Sequence, residues 1–463
     1  MEWEKLLSTE RGVRFCPEDP VSDRGDYDTI ICSTLFRRLQ DKAQVFPLEE
    51  DDYVRTRLTH SLEVSAIGKR LGEAVFCRLK KAGKDPWFAH HEEKEFSDVL
   101  LCAGLIHDIG NPPFGHFGEY AVREWFGAHL GELTLEGQKV TELLSEWQIQ
   151  DLCHFEGNAQ SLRLLSKTPY LGRMQGFNLT CGVLASIIKY PVSSEELTKH
   201  NPRGYKKIGY NWAERRLFER ISGKTGMNGC RHPLSYLLEA ADDIAYRTSD
   251  LEDAMVKKVL NLAQIVEGLK SYEEAMEGGQ AAVRECRNQL ENLYREELEH
   301  RDRKPELTAI QRWNQQMQER MIREAADGFV RHYDRLMEGR LEGDLFEDTV
   351  SGHIIAAIAG LSEKQIYTSS LKIKTELFGR RVIDSLLSQF MPAAVKYDTA
   401  EEQTFIERRT MDIISGFYKS MYHAEAEGKS REERLYLRIL MVTDYISGMT
   451  DNYAKRLYME LFG

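Results

Sequence analysis

The spacing of apolar residues predicts helices through most of the chain. Apolar side chains recur at intervals of three and four through residues 94–106, 236–247, 257–269 and 382–390, which places them on one face of an α-helix. The strict alternation of apolar and polar residues that is typical of half-buried strands is scarce. We therefore expect an all-α fold.

Two further stretches are marked by their charge. Residues 270–345 are dense in Glu, Arg and Gln and predict long helices with a polar face, which fit an oligomer arm and ordinary solvated surface helices equally well. Residues 425–433 are charge-rich and contain Gly428, which predicts an exposed loop before the final helix. No linker rich in Gly, Ser or Pro divides the chain, so one intertwined unit spanning 1–463 is expected, although the length permits three domains.

The strongest chemical signal is the pair His107-Asp108, which follows the first of the helical segments. Imidazole and carboxylate groups are ligands for borderline and hard divalent metals. A single His-Asp pair is weak evidence, because such pairs arise by chance. His60 begins another segment with apolar residues at helical spacing and supplies a third ligand candidate.

A further segment has Asp242, Tyr246 and Asp250 four positions apart, on one face of a predicted helix. An acidic helix face is often just solvated. Here, however, Asp242 and Asp243 interrupt the largely apolar run 236–245, where an unpaired carboxylate would be costly to bury. A metal would remove that cost for Asp242, whereas Asp243 lies about 100° around the helix and is not expected to reach the same ion.

The order His60, His107-Asp108, Asp242 resembles the HD superfamily of metal-dependent phosphohydrolases, whose metal is held by two histidines and two aspartates from separate helices. Longer blocks resemble the bacterial deoxyguanosinetriphosphate triphosphohydrolases; they are residues 36–40, 44–49, 55–61, 107–119, 154–160, 239–250 and 444–451. The resemblance implies an HD catalytic core over 55–260. It also implies a helical C-terminal region, 261–463, that completes the nucleotide site and forms oligomer contacts.

The reaction implied by this resemblance is hydrolysis of dGTP, with other dNTPs left open, between the 5' oxygen and the α phosphorus. The products would be a deoxynucleoside and intact tripolyphosphate. The implied cofactor is a divalent ion, Mg or Mn, held by His60, His107, Asp108 and Asp242. A bound divalent ion lowers the pKa of its water from about 15.7 towards neutrality, as far as about 7 for zinc in a favourable site, and so favours hydroxide at working pH.

The departing 5' oxygen needs a proton donor, for which His116 is the candidate. It lies nine residues after His107, across the segment 111–115, whose prolines and glycine turn the chain back towards the ion. Glu119 could orient the imidazole and raise its basicity. Both residues match catalytic positions of the family; the alternative is that His116 caps a loop.

The resemblance also implies the substrate contacts. Tyr246 would pack under the deoxyribose where a 2' hydroxyl would lie, and Asp250 and Gln44 would bond the 3' hydroxyl. The triphosphate needs cations nearby, for which Arg57, Lys189 and Lys207 are the candidates. Lys206 is an alternative to Lys207, and an ordinary solvated surface role stays open for each lysine. The full substrate-binding prediction is Gln44, Val45, Arg57, His154, Lys189, Tyr190, Lys207, Tyr246, Asp250 and, for guanine N1 and N2, Glu376.

Composition restricts where those cations can be. The chain has 62 Lys and Arg against 74 Asp and Glu, a formal charge of −12, so positive charge must be concentrated locally. The N-terminus does not resemble a secretory signal, and no apolar run approaches the roughly 18 residues of a membrane helix. The eight cysteines include no C-x-x-C pair. These features predict a cytoplasmic protein with reduced thiols and no membrane partner.

Two other functions fit parts of the pattern. One is an HD phosphodiesterase or nucleotidase acting on another phosphate ester, which would not release tripolyphosphate. The other is a regulatory nucleic-acid-binding protein with a vestigial site, which is disfavoured because no basic stretch with interleaved aromatics stands out. By resemblance we expect a homo-oligomer built from dimers, a tetramer or a hexamer. The sequence leaves open an effector, either a nucleotide or single-stranded DNA.

Overall fold

A computed structural model of the chain describes residues 1–12, 25–48, 51–168, 176–199, 201, 204–276 and 278–463. Helices make up most of this part, and its one sheet is an antiparallel pair of two-residue strands, β1 (Thr134–Leu135) and β2 (Gln138–Lys139). The predicted all-α class is confirmed. Of the positions singled out above, Glu49 and one cysteine, Cys16, lie outside the described residues. Six of the described cysteines are free thiols, namely Cys32, Cys77, Cys102, Cys153, Cys181 and Cys286.

The helices fall into three consecutive groups. The first contains α1 (Trp3–Leu6), α2 (Asp26–Ile31), α3 (Thr34–Arg38), α4 (Arg57–Ala82), α5 (Trp87–His90) and α6 (Glu93–Ile106). The second contains α7 (Gly115–His129), α8 (Val140–Leu143), α9 (Glu146–Cys153), α10 (Gly157–Lys167), α11 (Cys181–Ile187), α12 (Ser194–Lys199), α13 (Arg215–Thr225) and α14 (Pro233–Val256). The third contains α15 (Leu262–Ala275), α16 (Gln280–Glu299), α17 (Pro305–Arg331), α18 (Tyr333–Met337), α19 (Val350–Leu361), α20 (Ser370–Lys396), α21 (Phe405–Ile413), α22 (Gly416–Ala426), α23 (Arg431–Ser447) and α24 (Asp451–Phe462). Short 3₁₀ turns cover Leu39–Asp41, Leu130–Glu132 and Trp212–Glu214, and Ser362–Ile366 is π-helical.

The structure corrects two element boundaries. The segment 257–269 is not one helix, because α14 ends at Val256 and Lys258 takes a left-handed conformation (φ 55°). Asn261 then caps α15 by accepting a hydrogen bond from Gln264 N. The charged stretch 425–433 contains a shorter loop, 427–430, and two helices follow it, α23 and α24, where one final helix was predicted.

The helices predicted between 270 and 345 form and are only partly solvated. Helix α17 packs against α4, α14 and α16. Its inner face is buried, with Trp313, Met317, Met321 and Phe329 each at most 1% exposed. This part of the chain therefore completes the core on one side. Its use in oligomer contacts stays a prediction.

Close packing of α4 against α6 positions the candidate ligands. Thr56 caps α4 by accepting a hydrogen bond from Thr59 N. A Cβ added at Gly104 of α6 would lie 2.5 Å from Ser65 Cα of α4, closer than nonbonded carbon atoms can approach. Glycine at this position lets the two backbones touch. The contact brings His60 in the first turn of α4 near His107 at the end of α6.

Two clusters of buried apolar side chains make up the core. One is drawn chiefly from α4, α6, α14 and α17, and the other from α7, α20 and α23. Both clusters contain helices from either side of residue 260. The boundary between an HD core over 55–260 and a C-terminal region over 261–463 stays a prediction, as does the single intertwined unit.

A buried arginine joins distant parts of the chain. Arg163 of α10 donates from Nη2 to Asp444 Oδ2 at 2.7 Å and to Glu425 Oε2 at 3.0 Å, and from Nη1 to Glu214 Oε1 at 2.9 Å. Arg163 is 1% exposed. Burial alone would lower the pKa of Arg163, but the three carboxylates outweigh it and raise that pKa well above the ordinary value. These ion pairs tie α10 to α22 and α23.

No helix in the described part of the chain combines the length and the apolar character needed to cross a membrane.

We expect Arg163→Met to lower the free energy of unfolding by about 3–5 kcal/mol, because it leaves buried carboxylates without their counter-charge. Urea denaturation measures this change. The control is Arg216→Met, at an exposed position of the neighbouring α13, which should shift the unfolding free energy by no more than about 0.5 kcal/mol. Equal, small effects of both substitutions would contradict the structural role of the buried cluster.

Candidate active site

Three of the predicted metal ligands converge at one point. His60 Nε2 lies 3.0 Å from Asp242 Oδ1, and His107 Nε2 lies 3.7 Å from the same oxygen. One ligand atom from each residue falls within 4.8 Å of the others. The three side chains come from α4, the end of α6 and the middle of α14, as expected for ligands brought together from separate helices.

The hydrogen bonding of His107 suits it to bind a metal. Its Nδ1 lies 2.8 Å from Gly104 O, which requires the proton on Nδ1 and leaves a lone pair on Nε2. That Nε2 is buried and has no hydrogen-bond partner among the described residues. Buried nitrogen acceptors are normally paired, so an unpaired one facing a carboxylate fits a divalent cation.

Asp108, the fourth predicted ligand, stands beside this group. Its Oδ2 lies 3.6 Å from His107 Nε2, but it is also ion-paired with Arg57 and accepts a 2.6 Å hydrogen bond from Asn111 Nδ2 on its other oxygen. Burial would raise the pKa of Asp108, yet Arg57 and the nearby histidines outweigh burial and hold that pKa well below its usual range. Its direct ligation of the metal stays a prediction.

The charges of the group reinforce one another. Burial would lower the pKa of His60, but the Asp242 carboxylate outweighs burial and raises it. The same hydrogen bond, together with His107, overcomes burial and lowers the pKa of Asp242. Asp243 is separate from the group: it faces Arg247 at 3.7 Å, and burial, followed by the charge of Asp242, raises its pKa to about 7.

His116 and Glu119 form a pair in the first turn of α7. His116 Nδ1 lies 3.1 Å from Glu119 Oε2. The imidazole side chain is 70% exposed, whereas the Glu119 side chain is 3% exposed. The second carboxylate oxygen, Oε1, accepts a hydrogen bond from Gly157 N at 2.9 Å. The carboxylate is thus fixed, and one face of the imidazole stays open for a substrate.

The turn before α7 requires unusual backbone geometry. Phe114 has φ 65° and Gly115 has φ 63°, in the left-handed region that non-glycine residues rarely adopt. Asp451 at the start of α24 stabilises the turn, because its Oδ1 accepts from Phe114 N at 2.9 Å. A side chain at Gly115 would meet Arg57, since an added Cβ would lie 2.9 Å from Nη2.

Tyr246 and Asp250 lie on the same helix face, one and two turns beyond Asp242, and both contact Tyr367. The Tyr246 hydroxyl is 2.6 Å from the Tyr367 hydroxyl, which in turn donates to Asp250 Oδ2 at 2.6 Å. Asp250 Oδ1 is buried without a hydrogen-bond partner, and so is Gln44 Oε1. Burial raises the pKa of Asp250 to about 7. Two predicted sugar-binding residues thus offer unpaired acceptors that a hydroxyl group could use.

Two residues at this end, Tyr367 and Lys372, carry no signal in the sequence. Tyr367 follows the π-helical segment Ser362–Ile366, in no motif block, and its contacts reach 117 residues back in the chain to Asp250. Lys372, in the first turn of α20, donates from Nζ to Val45 O at 2.6 Å and lies 3.6 Å from Glu376. No local pattern marks either position.

The predicted phosphate-binding cations are all paired with carboxylates. Arg57 is bound by Asp108, Lys207 Nζ lies 3.0 Å from Glu156, and Lys189 Nζ lies 2.7 Å from Glu239. Burial would lower the pKa of each lysine, but the carboxylates outweigh it and raise both pKa values. These cations are therefore charged at neutral pH.

Tyr190 lies beside one of these cations, with its ring 5.6 Å from Lys189 Nζ. His154 directly follows the last residue of α9, and its Nδ1 lies 3.0 Å from Gln150 O of that helix.

A cavity of about 990 Å³ opens next to these cations. Its rim contains Lys189, Tyr190 and Glu239. Glu239 is three residues before Asp242 on α14, so the cavity begins roughly 4.5 Å along the axis of α14 from the metal-ligand group. The cations that line it are Lys189, Lys206, Arg231, Arg335 and Arg340. Three carboxylates, those of Glu239, Glu342 and Asp344, also line it, so cations exceed carboxylates here although the whole chain is negatively charged.

Comparison with known proteins is consistent with this geometry. Residues 57–155 match the family model described as HD domain, a span that contains His60, His107 and Asp108. Over 472 residues, covering all of both chains, the protein is 40% identical to a deoxyguanosinetriphosphate triphosphohydrolase-like protein of Listeria monocytogenes. It is 33% identical to a protein of the same name from Synechocystis, over all of this chain and 99% of the relative.

A third relative, from Klebsiella pneumoniae, is named deoxyguanosinetriphosphate triphosphohydrolase and is 33% identical over 98% of this chain and 95% of its own. These alignments span the whole chain, and the HD match includes three of the four residues predicted to hold a metal. The chain therefore belongs to the deoxyguanosinetriphosphate triphosphohydrolase-like family of HD-domain phosphohydrolases, as the sequence motifs indicated.

Proposed function

We propose that the protein hydrolyses dGTP, and other dNTPs less well, to a deoxynucleoside and tripolyphosphate. The observation that carries this proposal is the convergence of His60, His107 and Asp242, with the unpaired Nε2 of His107 buried at their centre. The names of full-length relatives support the choice of substrate.

We assign metal binding to His60, His107 and Asp242, with Asp108 completing the set. A divalent cation, Mg or Mn, would there activate a water molecule and polarise an oxygen of the α phosphate. Mixed imidazole and carboxylate ligation accepts several such ions. Arg57, bound to Asp108 at the edge of the group, adds a positive charge for the phosphate oxygens.

His116 is the residue that would protonate the departing 5' oxygen. Its Nδ1 faces the buried Glu119 carboxylate, so the transferable proton would be carried on Nε2, on the exposed side of the ring. Glu119 stabilises the protonated imidazole and fixes its orientation. Because Gly157 N holds the other carboxylate oxygen, the pair is oriented before substrate binds.

Selection for deoxyribose follows from Tyr246, Asp250 and Gln44. The 3' hydroxyl of the sugar has one proton, which it would donate to the unpaired acceptor of Asp250 or of Gln44. The ring of Tyr246, held by Tyr367, would occupy the space of a 2' hydroxyl. A ribonucleotide would then be excluded by steric overlap.

The triphosphate would extend from the metal group towards Lys189, Tyr190 and Lys207, and the adjoining cation-lined cavity gives the tripolyphosphate product a path to solvent. Val45 and His154 would line the nucleotide, and Glu376 would accept hydrogen bonds from guanine N1 and N2. By family resemblance we also propose a dimer-based homo-oligomer in the cytoplasm. Regulation by a nucleotide or by single-stranded DNA stays open.

The products test the reaction. The purified protein is incubated with each of the four dNTPs and with GTP, with Mg or Mn, and the products are separated by anion exchange. We expect deoxynucleoside and tripolyphosphate, with dGTP fastest and GTP untouched. Monophosphate and pyrophosphate, or successive release of single phosphates, would show instead that the protein is a different HD phosphohydrolase.

We expect His107→Ala and Asp242→Ala each to weaken Mn binding by more than about 100-fold, because loss of an outer-sphere partner alone costs about 10- to 100-fold. Equilibrium dialysis measures the affinity, and His90→Ala, at an exposed position, is the matched control. Metal binding that is unchanged in both variants would refute the assigned site.

The metal affinity should also depend on pH. Since Asp242 raises the pKa of His60, protons should displace the metal as the pH falls through a value above the ordinary histidine pKa of about 6.5.

The role of Asp108 as a metal ligand can be separated from the role of His116 as a proton donor. Asp108→Ala should abolish turnover, whereas His116→Ala should keep the metal and slow the reaction by about 100- to 10,000-fold, as loss of a general acid does. Single-turnover kinetics and metal analysis of the same samples give both quantities. If the two variants lose metal equally, the division between ligand and proton donor is wrong.

A further inference from the structure

Lys372 occupies an electrostatically unfavourable position. It lies in the first turn of α20, where its backbone N–H donates to the Ser369 side chain that caps the helix. The positive end of a helix dipole disfavours a cation there. Its side chain is only 15% exposed, and burial lowers the pKa of Lys372. A cation that is held against both effects needs a compensating contact.

The contacts of Lys372 direct it at the nucleotide site. Its Nζ donates to Val45 O at 2.6 Å, next to the Gln44 side chain whose buried Oε1 is unpaired. The charges of Glu376 and Asp250 partly offset the effect of burial on its pKa. The contacts of the ammonium thus join Val45, the neighbour of Gln44 in the chain, to Glu376 on α20.

The ammonium has hydrogen-bonding capacity to spare. It carries three donors, and Val45 O takes one of them. Glu376 Oε1, at 3.6 Å, is near enough for an ion pair but too far for a good hydrogen bond. A donor and an acceptor therefore stand side by side on one face of α20, one turn apart, at the border of the nucleotide site.

We propose that Lys372 is a specificity residue that donates a hydrogen bond to O6 of guanine while the neighbouring Glu376 accepts from N1 and N2. This inference rests on the proposed function and adds a second base-reading group to it. Guanine presents an acceptor, O6, directly beside two donors. The adjacent ammonium and carboxylate of Lys372 and Glu376 match that order.

Adenine presents the opposite pattern. Its 6-amino group would direct a donor at the Lys372 ammonium, and its N1 lone pair would face the Glu376 carboxylate. A ligand that leaves buried polar groups of the site unpaired is rejected strongly. A ligand that loses only a small apolar contact is rejected much less. The pair therefore favours guanine by attraction and disfavours adenine by repulsion.

The test compares Lys372→Met with wild type on dGTP, 6-thio-dGTP and dATP. Sulfur at position 6 is a weaker acceptor but keeps the N1 and N2 donors. We expect Lys372→Met to lower kcat/KM for dGTP by about 10- to 100-fold, the effect of losing a hydrogen bond to a charged group, and to reduce the preference for dGTP over dATP by a similar factor. Wild type should discriminate against 6-thio-dGTP, and Lys372→Met should not.

Matched variants separate base reading from a structural role. Lys374→Met, at an exposed position two residues away, should leave the ratio of dGTP to dATP turnover unchanged. Lys372→Arg, which keeps the charge and the donors, should retain more of the preference than Lys372→Met. Thermal denaturation checks that each variant is folded. An equal loss of kcat/KM on all three substrates would mean that Lys372 only anchors the Val45 backbone, which would overturn the proposal.

Failure of the proposed function gives a different result. If the wild-type protein released tripolyphosphate from none of the dNTPs, the proposed reaction would be wrong. Nucleotide binding would then test the role of Lys372 independently of the reaction. Calorimetric titration of the metal-loaded protein with dGTP and dATP should still show a guanine preference that Lys372→Met removes. If wild type turns over dNTPs without preferring dGTP, or binds the two nucleotides equally, Lys372 does not read the base.

Discussion

The active site depends on the contact between α4 and α6. Gly104 lets the two backbones touch at Ser65, which brings the imidazoles of His60 and His107 to 5.4 Å between ring centroids. Asp242 on α14 then faces both of them. Because Gly104 O also takes the Nδ1 proton of His107, the same residue sets the distance between the helices and the tautomer of the ligand. A larger residue at position 104 would push the two helices apart, although its backbone carbonyl would still accept from His107.

Around this contact, buried charges are placed so that each has a counter-charge or a hydrogen-bond partner. Lys42 is buried and donates to Asn111 O and Ser447 O; burial, followed by Arg57, lowers its pKa to about 7. Asp451 accepts from Phe114 N and from Ala43 N. The first residue of α24 therefore holds both the turn before His116 and the segment beside Gln44. Segments more than 300 residues apart in the chain are brought into contact in this way.

The sequence predicted the parts of the site that local patterns mark. Helical spacing located α6 and α14, and the cost of burying Asp242 among apolar residues pointed to a ligand before any geometry was known. Tyr367 and Lys372 could not be found in this way, because their roles arise only from contacts with Asp250 and Val45 across the fold. The break at 257–261 was missed because a left-handed Lys258 and an Asn cap interrupt an otherwise continuous apolar rhythm.

The central claim is that water attacks the α phosphorus and the deoxynucleoside leaves with its 5' oxygen. Hydrolysis of dGTP in water enriched in ¹⁸O, followed by mass spectrometry of the products, tests it most directly. The account predicts one ¹⁸O atom in each tripolyphosphate and none in the deoxyguanosine. Label in the deoxyguanosine, or in orthophosphate or pyrophosphate, would contradict it, because the bond broken or the phosphorus attacked would be a different one.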